Sequence, residues 1–172
     1  MRVIKTAIII SLVLGSVCCA QGGGPATRPG ARAAVGEALS PTELEMMGGG
    51  RRPVVAKGHR ATLLAFWATW CQVCKAEIPK LSRLQASQPP DGIEVIGVNA
   101  GESARRIKAF LEENELPYSV AVDPEQKLMA IFGVEKLPTF ALIDSEGTVR
   151  YLGNHLPEGS MDLKGMTASL ER

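Results

Sequence analysis

Cysteine is scarce in this 172-residue sequence: there are four, and only Cys71 and Cys74 lie beyond the first twenty positions. That excludes a small scaffold stapled by several bridges. The two histidines, His59 and His155, lie far from those cysteines in sequence and read as surface or loop residues, and no metal or cofactor is expected. Excess charge of one sign is lacking too. A formal charge of +1 gives no basic footprint for nucleic acid, so none is expected as a partner. No apolar run is long enough to span a bilayer: Ala7 to Val17 gives about eleven residues where a helix needs about twenty. What is present, 45% hydrophobic and 22% charged residues, suffices for one domain with a core and excludes a disordered chain or a fibrous rod.

That short run follows Arg2 and Lys5, and small residues, Cys18 and Ala20, stand three and one positions before Gln21. Residues 1–20 therefore read as a signal peptide cleaved after Ala20, which makes the protein exported, to a periplasm or another extracytoplasmic space. Cys18 and Cys19 stand where a lipoprotein signal would place its acylated thiol, but Gly15 and Val17 fit that signal poorly. A lipid anchor at Cys18 or Cys19 is the alternative. Residues 21–36, rich in Gly and Pro, read as a flexible linker, and 37–172 as the folded domain.

Within that domain, Ser40-Pro41-Thr42-Glu43 has the form of a helix cap, so a short helix through Leu44, Met46 and Met47 is expected, ended by Gly48-Gly49-Gly50. A short edge strand near Pro53 to Ala56 would follow. Ala61 to Trp67 is unbroken and apolar, as in a strand buried on both faces. From Cys71 the spacing turns helical, with Cys74, Ile78, Leu81 and Leu84 on one stripe until Pro89-Pro90. Ile93–Val98 reads as a strand, Ser103–Asn114 as an amphipathic helix, Tyr118–Val122 as a strand, and Asp123 to Gly133 as a short capped helix. Two β-prone runs, Thr139–Ile143 and Thr148–Leu152, flank a turn and predict a hairpin, and Met161–Leu170 closes the chain as a helix. The alternation argues a three-layer α/β sandwich around a mixed sheet.

Cys71 falls where the first buried strand meets its helix, so unpaired N–H groups and the positive end of the dipole favour a thiolate there. Cys74, one turn further, is carried inward. A bridge closing so short a loop removes little chain entropy, which makes stability a weak reason for the pair and redox chemistry a stronger one. The outer thiol can attack a disulfide and the inner one can resolve the mixed disulfide that forms.

The run Phe66-Trp67-Ala68-Thr69-Trp70-Cys71-Gln72-Val73-Cys74-Lys75-Ala76-Glu77-Ile78-Pro79 resembles the thioredoxin superfamily, and within it the exported TlpA/ResA-like branch. A second segment, Val134 to Phe140, is similar to the one in which a cis-proline faces the dithiol. The resemblance implies a thioredoxin-like three-layer sandwich with an extra βα insertion between Cys74 and Pro138. It implies that Cys71 and Cys74 form a redox-active disulfide, and that cis-Pro138 with Leu137 provides a substrate platform, with Trp70 as a binding surface. Ordinary thioredoxins carry a buried Asp in the preceding strand as a proton relay. Here that position is Ala65, and the resemblance gives the role to Glu77, which on a helix lies on the same side as Cys74. The competing reading of Glu77 is a solvated carboxylate paired with Lys80 or Arg83. Trp67 reads as plain core and Lys75 as solvated.

The expected activity is thiol-disulfide oxidoreductase, and the branch implies reduction. Its partners would be disulfide-containing exported proteins and a membrane electron donor of thiol-reducing type, with cytochrome c maturation as one use among several. Two rivals are a peroxide-reducing protein of the same fold, whose cysteine needs a nearby Thr and Arg, and a copper-handling module using Cys71, Cys74 and His155.

Overall fold

The uninterrupted apolar stretch Ala61–Trp67 occupies the heart of a seven-stranded sheet, with every residue buried. The computed structural model describes residues 32–55 and 57–156. In chain order the elements are β1 (Glu43–Met46), β2 (Arg51–Pro53), β3 (Ala61–Trp67), α1 (Gln72–Ser87), β4 (Ile93–Ala100), α2 (Ala104–Glu113), β5 (Ser119–Asp123), α3 (Lys127–Ile131), β6 (Thr139–Asp144) and β7 (Val149–Gly153). The strands lie in the order β2-β1-β5-β4-β3-β6-β7. β3, β4 and β5 are parallel, while β1, β2, β6 and β7 are added antiparallel, so the sheet is mixed as expected.

Period-two alternation along β3 divides the core into two layers. Leu64 and Phe66 face one side with Ile96, Val98 and Ala121, where they meet Leu128 of α3 and Phe132 just after it. Leu63, Ala65 and Trp67 face the other side, where Leu81 of α1 and Ile107 of α2 cover them. The result is a three-layer sandwich, and two βα pairs, β4-α2 and β5-α3, separate α1 from Pro138. The thioredoxin-like architecture with its βα insertion is thus present.

One expected helix is absent. Residues 43–46 form β1, with Leu44 fully buried between exposed Glu43 and Glu45. That burial alternates with period two, and pairing with β2 and with β5 (Glu45↔Val122, Met46↔Ala121) satisfies the backbone better than a single helical turn could. The cap is not used either, since the Thr42 hydroxyl donates to the Ser40 carbonyl. Gly49 and Gly50, at φ +89° and +83°, turn β1 back into β2. The edge strand lies at Arg51–Pro53 rather than toward Ala56, which is outside the described residues.

The chain is docked from Ala33 onward, inside the stretch read as linker: Ala33 N–H donates to the Ile131 carbonyl and Gly36 N–H to that of Val149. The leader, both of its cysteines and the expected helix at 161–170 lie outside the described residues. Among those described, no helix is long and apolar enough to cross a membrane.

A candidate redox site at the end of the central strands

Three chain segments meet at one end of the sheet because the registers bring them there. β3 runs parallel to β4 with Trp67 opposite Asn99, and antiparallel to β6 with Phe66 opposite Thr139. The loop Ala68–Cys71 leaving β3, the Asn99–Glu102 end of β4, and the Leu137–Pro138 segment before β6 are therefore neighbours. Topology alone assembles this end.

Cys71 is the N-cap of α1, and its sulfur accepts a hydrogen bond from Cys74 N–H at 3.1 Å. The two cysteines are joined by a disulfide with a Cα–Cα distance of 5.2 Å. Both are buried in a cluster with Trp67, Ile107, Val120 and Val122, against which Leu137 also packs. The Leu137–Pro138 bond is cis, as the resemblance implies. Pro138 and Cys74 line one small cavity, and Asn154 Nδ2 donates to the Pro138 carbonyl at 3.1 Å. Trp70 is 62% exposed, as is Val73, so two large apolar side chains next to the cysteines in sequence stand open to solvent.

Glu77 lies on α1, and its two oxygens are placed differently. Its Oε1 accepts from Lys80 Nζ at 2.8 Å, while its Oε2 is buried with no partner among the protein atoms. Lys75 is not simply solvated, since its ammonium lies 5.5 Å from the centre of the Phe110 ring. Trp67 is core, tilted against Phe110 at 5.2 Å, but its indole Nε1 is likewise buried without a protein partner. His59 sits beside Glu94 at the opposite end of β3, and the His155 carbonyl accepts from Tyr151. No three His, Cys, Asp or Glu side chains converge as metal ligands among the described residues.

The sequence reading missed Glu102. It is 8% exposed, and it receives the Thr69 N–H at 2.7 Å, the Thr69 hydroxyl at 2.6 Å, Asn99 Nδ2 at 2.8 Å and Arg106 Nε at 2.8 Å. Burial opposes its charge, but the two bonds from Thr69, the one from Asn99 and the field of Arg106 outweigh it and hold the carboxyl below the usual carboxylate range. This carboxylate ties the loop carrying Trp70 and Cys71 to the end of β4. The available signal was an acidic residue just past the carboxyl end of a strand parallel to the one that carries the cysteine motif.

A family model described as AhpC/TSA family matches residues 50–152. Among curated proteins, the thiol-disulfide oxidoreductase ResA of Bacillus anthracis is 37% identical over 90 residues, covering 52% of this chain and 52% of that protein. The chain thus spans about half the length of the curated relatives it matches. Among solved structures, a putative thiol:disulfide interchange protein DsbE from Chlorobium tepidum superposes with a TM-score of 0.68 at 25% identity, covering 80% of this chain and 97% of that one. The pneumococcal exposed lipoprotein thioredoxin from Streptococcus pneumoniae does so with a TM-score of 0.65 at 25% identity, over 75% and 99%. These likenesses agree with the thioredoxin-superfamily resemblance read from the cysteine motif.

Proposed function

The chain belongs to the AhpC/TSA family, and from that premise we propose that it is an exported thiol-disulfide oxidoreductase that reduces disulfides of exported proteins. One observation carries the reading: a disulfide caps a helix N-terminus between two exposed apolar side chains, Trp70 and Val73, beside Pro138. A redox couple without a docking surface would have no need of that apolar rim.

In the reduced protein the Cys71 thiolate attacks one sulfur of a client disulfide. The client S–S bond breaks, its second sulfur leaves as a thiolate and takes up a proton, and Cys71 is left in a mixed disulfide. Cys74 then gives its proton to Glu77, and its sulfur attacks Cys71 Sγ. The second client thiolate departs and is protonated, and the Cys71–Cys74 disulfide seen here remains. Two electrons have passed to the client. They must be restored by a dithiol donor, for which a membrane protein of thiol-reducing type is the natural source. The apocytochrome dithiol of cytochrome c maturation is one client class that fits, and the name of the pneumococcal relative, an exposed lipoprotein, supports work outside the cytoplasm.

Peroxide reduction is the second reading that the family match raises, and Thr69 and Arg106 bear on it. Both lie by the Cys71 loop, but Glu102 engages both side chains. Insulin reduction driven by dithiothreitol tests the choice. The proposal expects turnover by the wild type and, in Cys74→Ser, accumulation of an adduct through Cys71. Insulin left intact with no adduct, or rapid peroxide consumption instead, overturns it. Equilibration with glutathione fixes the direction: a couple at roughly −250 mV or lower supports reduction, and one near about −120 mV supports oxidation.

A further inference from the structure

The rim that exposes Trp70 and Val73 is bordered by cations where α2 meets α1. The Arg106 side chain is 62% exposed, and both of its contacts are made by Nε, with Glu102 Oε1 at 2.8 Å and Thr69 Oγ1 at 3.1 Å. Thr69 precedes Trp70, so the guanidinium is fixed to the loop that carries the rim. A guanidinium has five N–H donors, and the four on its two terminal nitrogens lie outside those contacts. Phe110 stands one helical turn from Arg106 on the same face of α2. The Lys75 ammonium lies 5.5 Å from the centre of that ring, which in turn packs on Trp67. Arg106 and Lys75 therefore share one surface.

The carboxylates on the neighbouring segments are already engaged. Glu102 is held by Arg106, Glu77 by Lys80 and Glu125 by Lys127. Glu135 and Lys136, both exposed just before Leu137, are of opposite sign and cancel at a distance. Among the described residues, no carboxylate stands within ion-pair distance of Lys75 or of Arg105, the exposed neighbour of Arg106. Helix stability does not account for this placement. Arg105 and Arg106 fall in the first turn of α2, where the helix dipole disfavours cations, and Glu112 and Glu113 fall at its other end, where it disfavours anions. Positive charge that does little for its own helix, left unneutralised beside an apolar rim, is complementary to a partner of opposite sign.

We propose that Arg106 and Lys75 form a carboxylate-binding edge of the docking rim, so that the preferred clients are proteins whose disulfide is flanked by Asp or Glu. The inference rests on the redox function proposed above and deepens it by naming a client chemistry. The outer edge of the Arg106 fork donates two parallel N–H bonds to one client carboxylate. Lys75 attracts a second acidic group as a point charge. Trp70 and Val73 cover the apolar surroundings of the client disulfide, and the cations set which disulfides are brought to them.

Three synthetic peptides of equal length, each with one disulfide flanked by Asp, Asn or Lys, test this with the full chain driven by dithiothreitol. At low salt the wild type should show kcat/KM in the order Asp, Asn, Lys, and the order should flatten at about 1 M salt, where screening acts within roughly 3 Å. Flanking charge also alters a peptide's own reactivity, so the quantity compared between variants is the Asp-to-Asn ratio. Lys75→Gln and Arg106→Gln should each lower that ratio about threefold, within the range of exposed ion pairs. Lys127→Gln removes the same charge from α3 in the opposite layer and should leave the ratio as it is. Loosening of the loop in Arg106→Gln would slow the Asp and Asn peptides alike. The same peptides with Ser for Cys, titrated against the oxidised chain by tryptophan fluorescence, read docking without chemistry, and the Asp peptide should bind tightest. Reduction of all three peptides with a ratio that neither variant moves overturns the carboxylate edge and leaves the redox function standing. Tightest binding of the Asp peptide with no peptide reduced sinks the redox function while the edge stands.

Discussion

Two carboxylates belong to the segments around the Cys71–Cys74 disulfide, buried Glu102 past the end of β4 and half-buried Glu77 on α1, and they are partnered in opposite ways. Glu102 receives four donors from Thr69, Asn99 and Arg106, so each of its oxygens is engaged. Glu77 has one oxygen on Lys80 and the other facing the interior without a protein donor. Protonating Glu102 would turn acceptor sites into a donor among donors, and the network resists it. Protonating Glu77 at Oε2 breaks no bond to protein. Full satisfaction suits a carboxylate that holds a loop, and the free oxygen of Glu77 is what the proton role proposed for it requires.

The strongest way to break this comparison is to neutralise each carboxylate in turn. Glu77→Gln should slow resolution of the mixed disulfide by about 100-fold near neutral pH, the lower end of what a general acid–base group contributes, and should change the shape of the pH–rate profile. Glu102→Gln should leave the shape of that profile as it is. Stopped-flow release of an aromatic thiol from the mixed disulfide reads both. Equal profile changes in the two variants would erase the distinction.

The contrast was half visible in the sequence. The cysteine motif, its helix and the buried strand before it are local patterns, and so is the hairpin of β6 and β7, in which strands close in sequence pair around Asp144–Gly147. The place of Glu77 on α1 was legible because one helical turn sets it beside Cys74, while its proton role rests on the resemblance. Glu102 was not, because its contact with Thr69 spans 33 residues and exists only through the parallel register that sets Trp67 opposite Asn99. Trp67 could be read as core, yet nothing local says that its N–H ends without a partner. At residues 43–46 a cap pattern suggested a helix, and distant pairing with β5 decided for a strand.

A smaller effect sharpens the comparison from the side of stability. Removing the charge of Glu102 should destabilise the fold by about 1.5–3 kcal/mol at neutral pH, the range for hydrogen bonds to a charged group. The pH dependence has a definite sign. A carboxyl held low in the folded state stabilises above its unfolded pKa and loses that contribution as pH falls through the folded value. The gap between wild type and Glu102→Gln, measured by urea titration, should therefore be full at pH 7 and narrow as pH falls below the ordinary carboxylate range. A gap that widens in acid would contradict the assignment.

The smallest expected effect concerns what the held loop presents. Thr69 is fixed by Glu102 on one side, Cys71 is fixed as the cap of α1 on the other, and Trp70 between them is exposed. Its indole is therefore carried on a backbone anchored at both ends, so a client that covers it has little loop motion left to freeze. Trp70→Ala should raise KM for a protein disulfide about fivefold, equivalent to roughly 1 kcal/mol of lost contact. Turnover of a small disulfide such as oxidised glutathione, too small to span the rim, should change far less. If both substrates suffer equally, Trp70 acts on the dithiol and not on docking. If neither does, the rim of Trp70 and Val73 is not where clients bind.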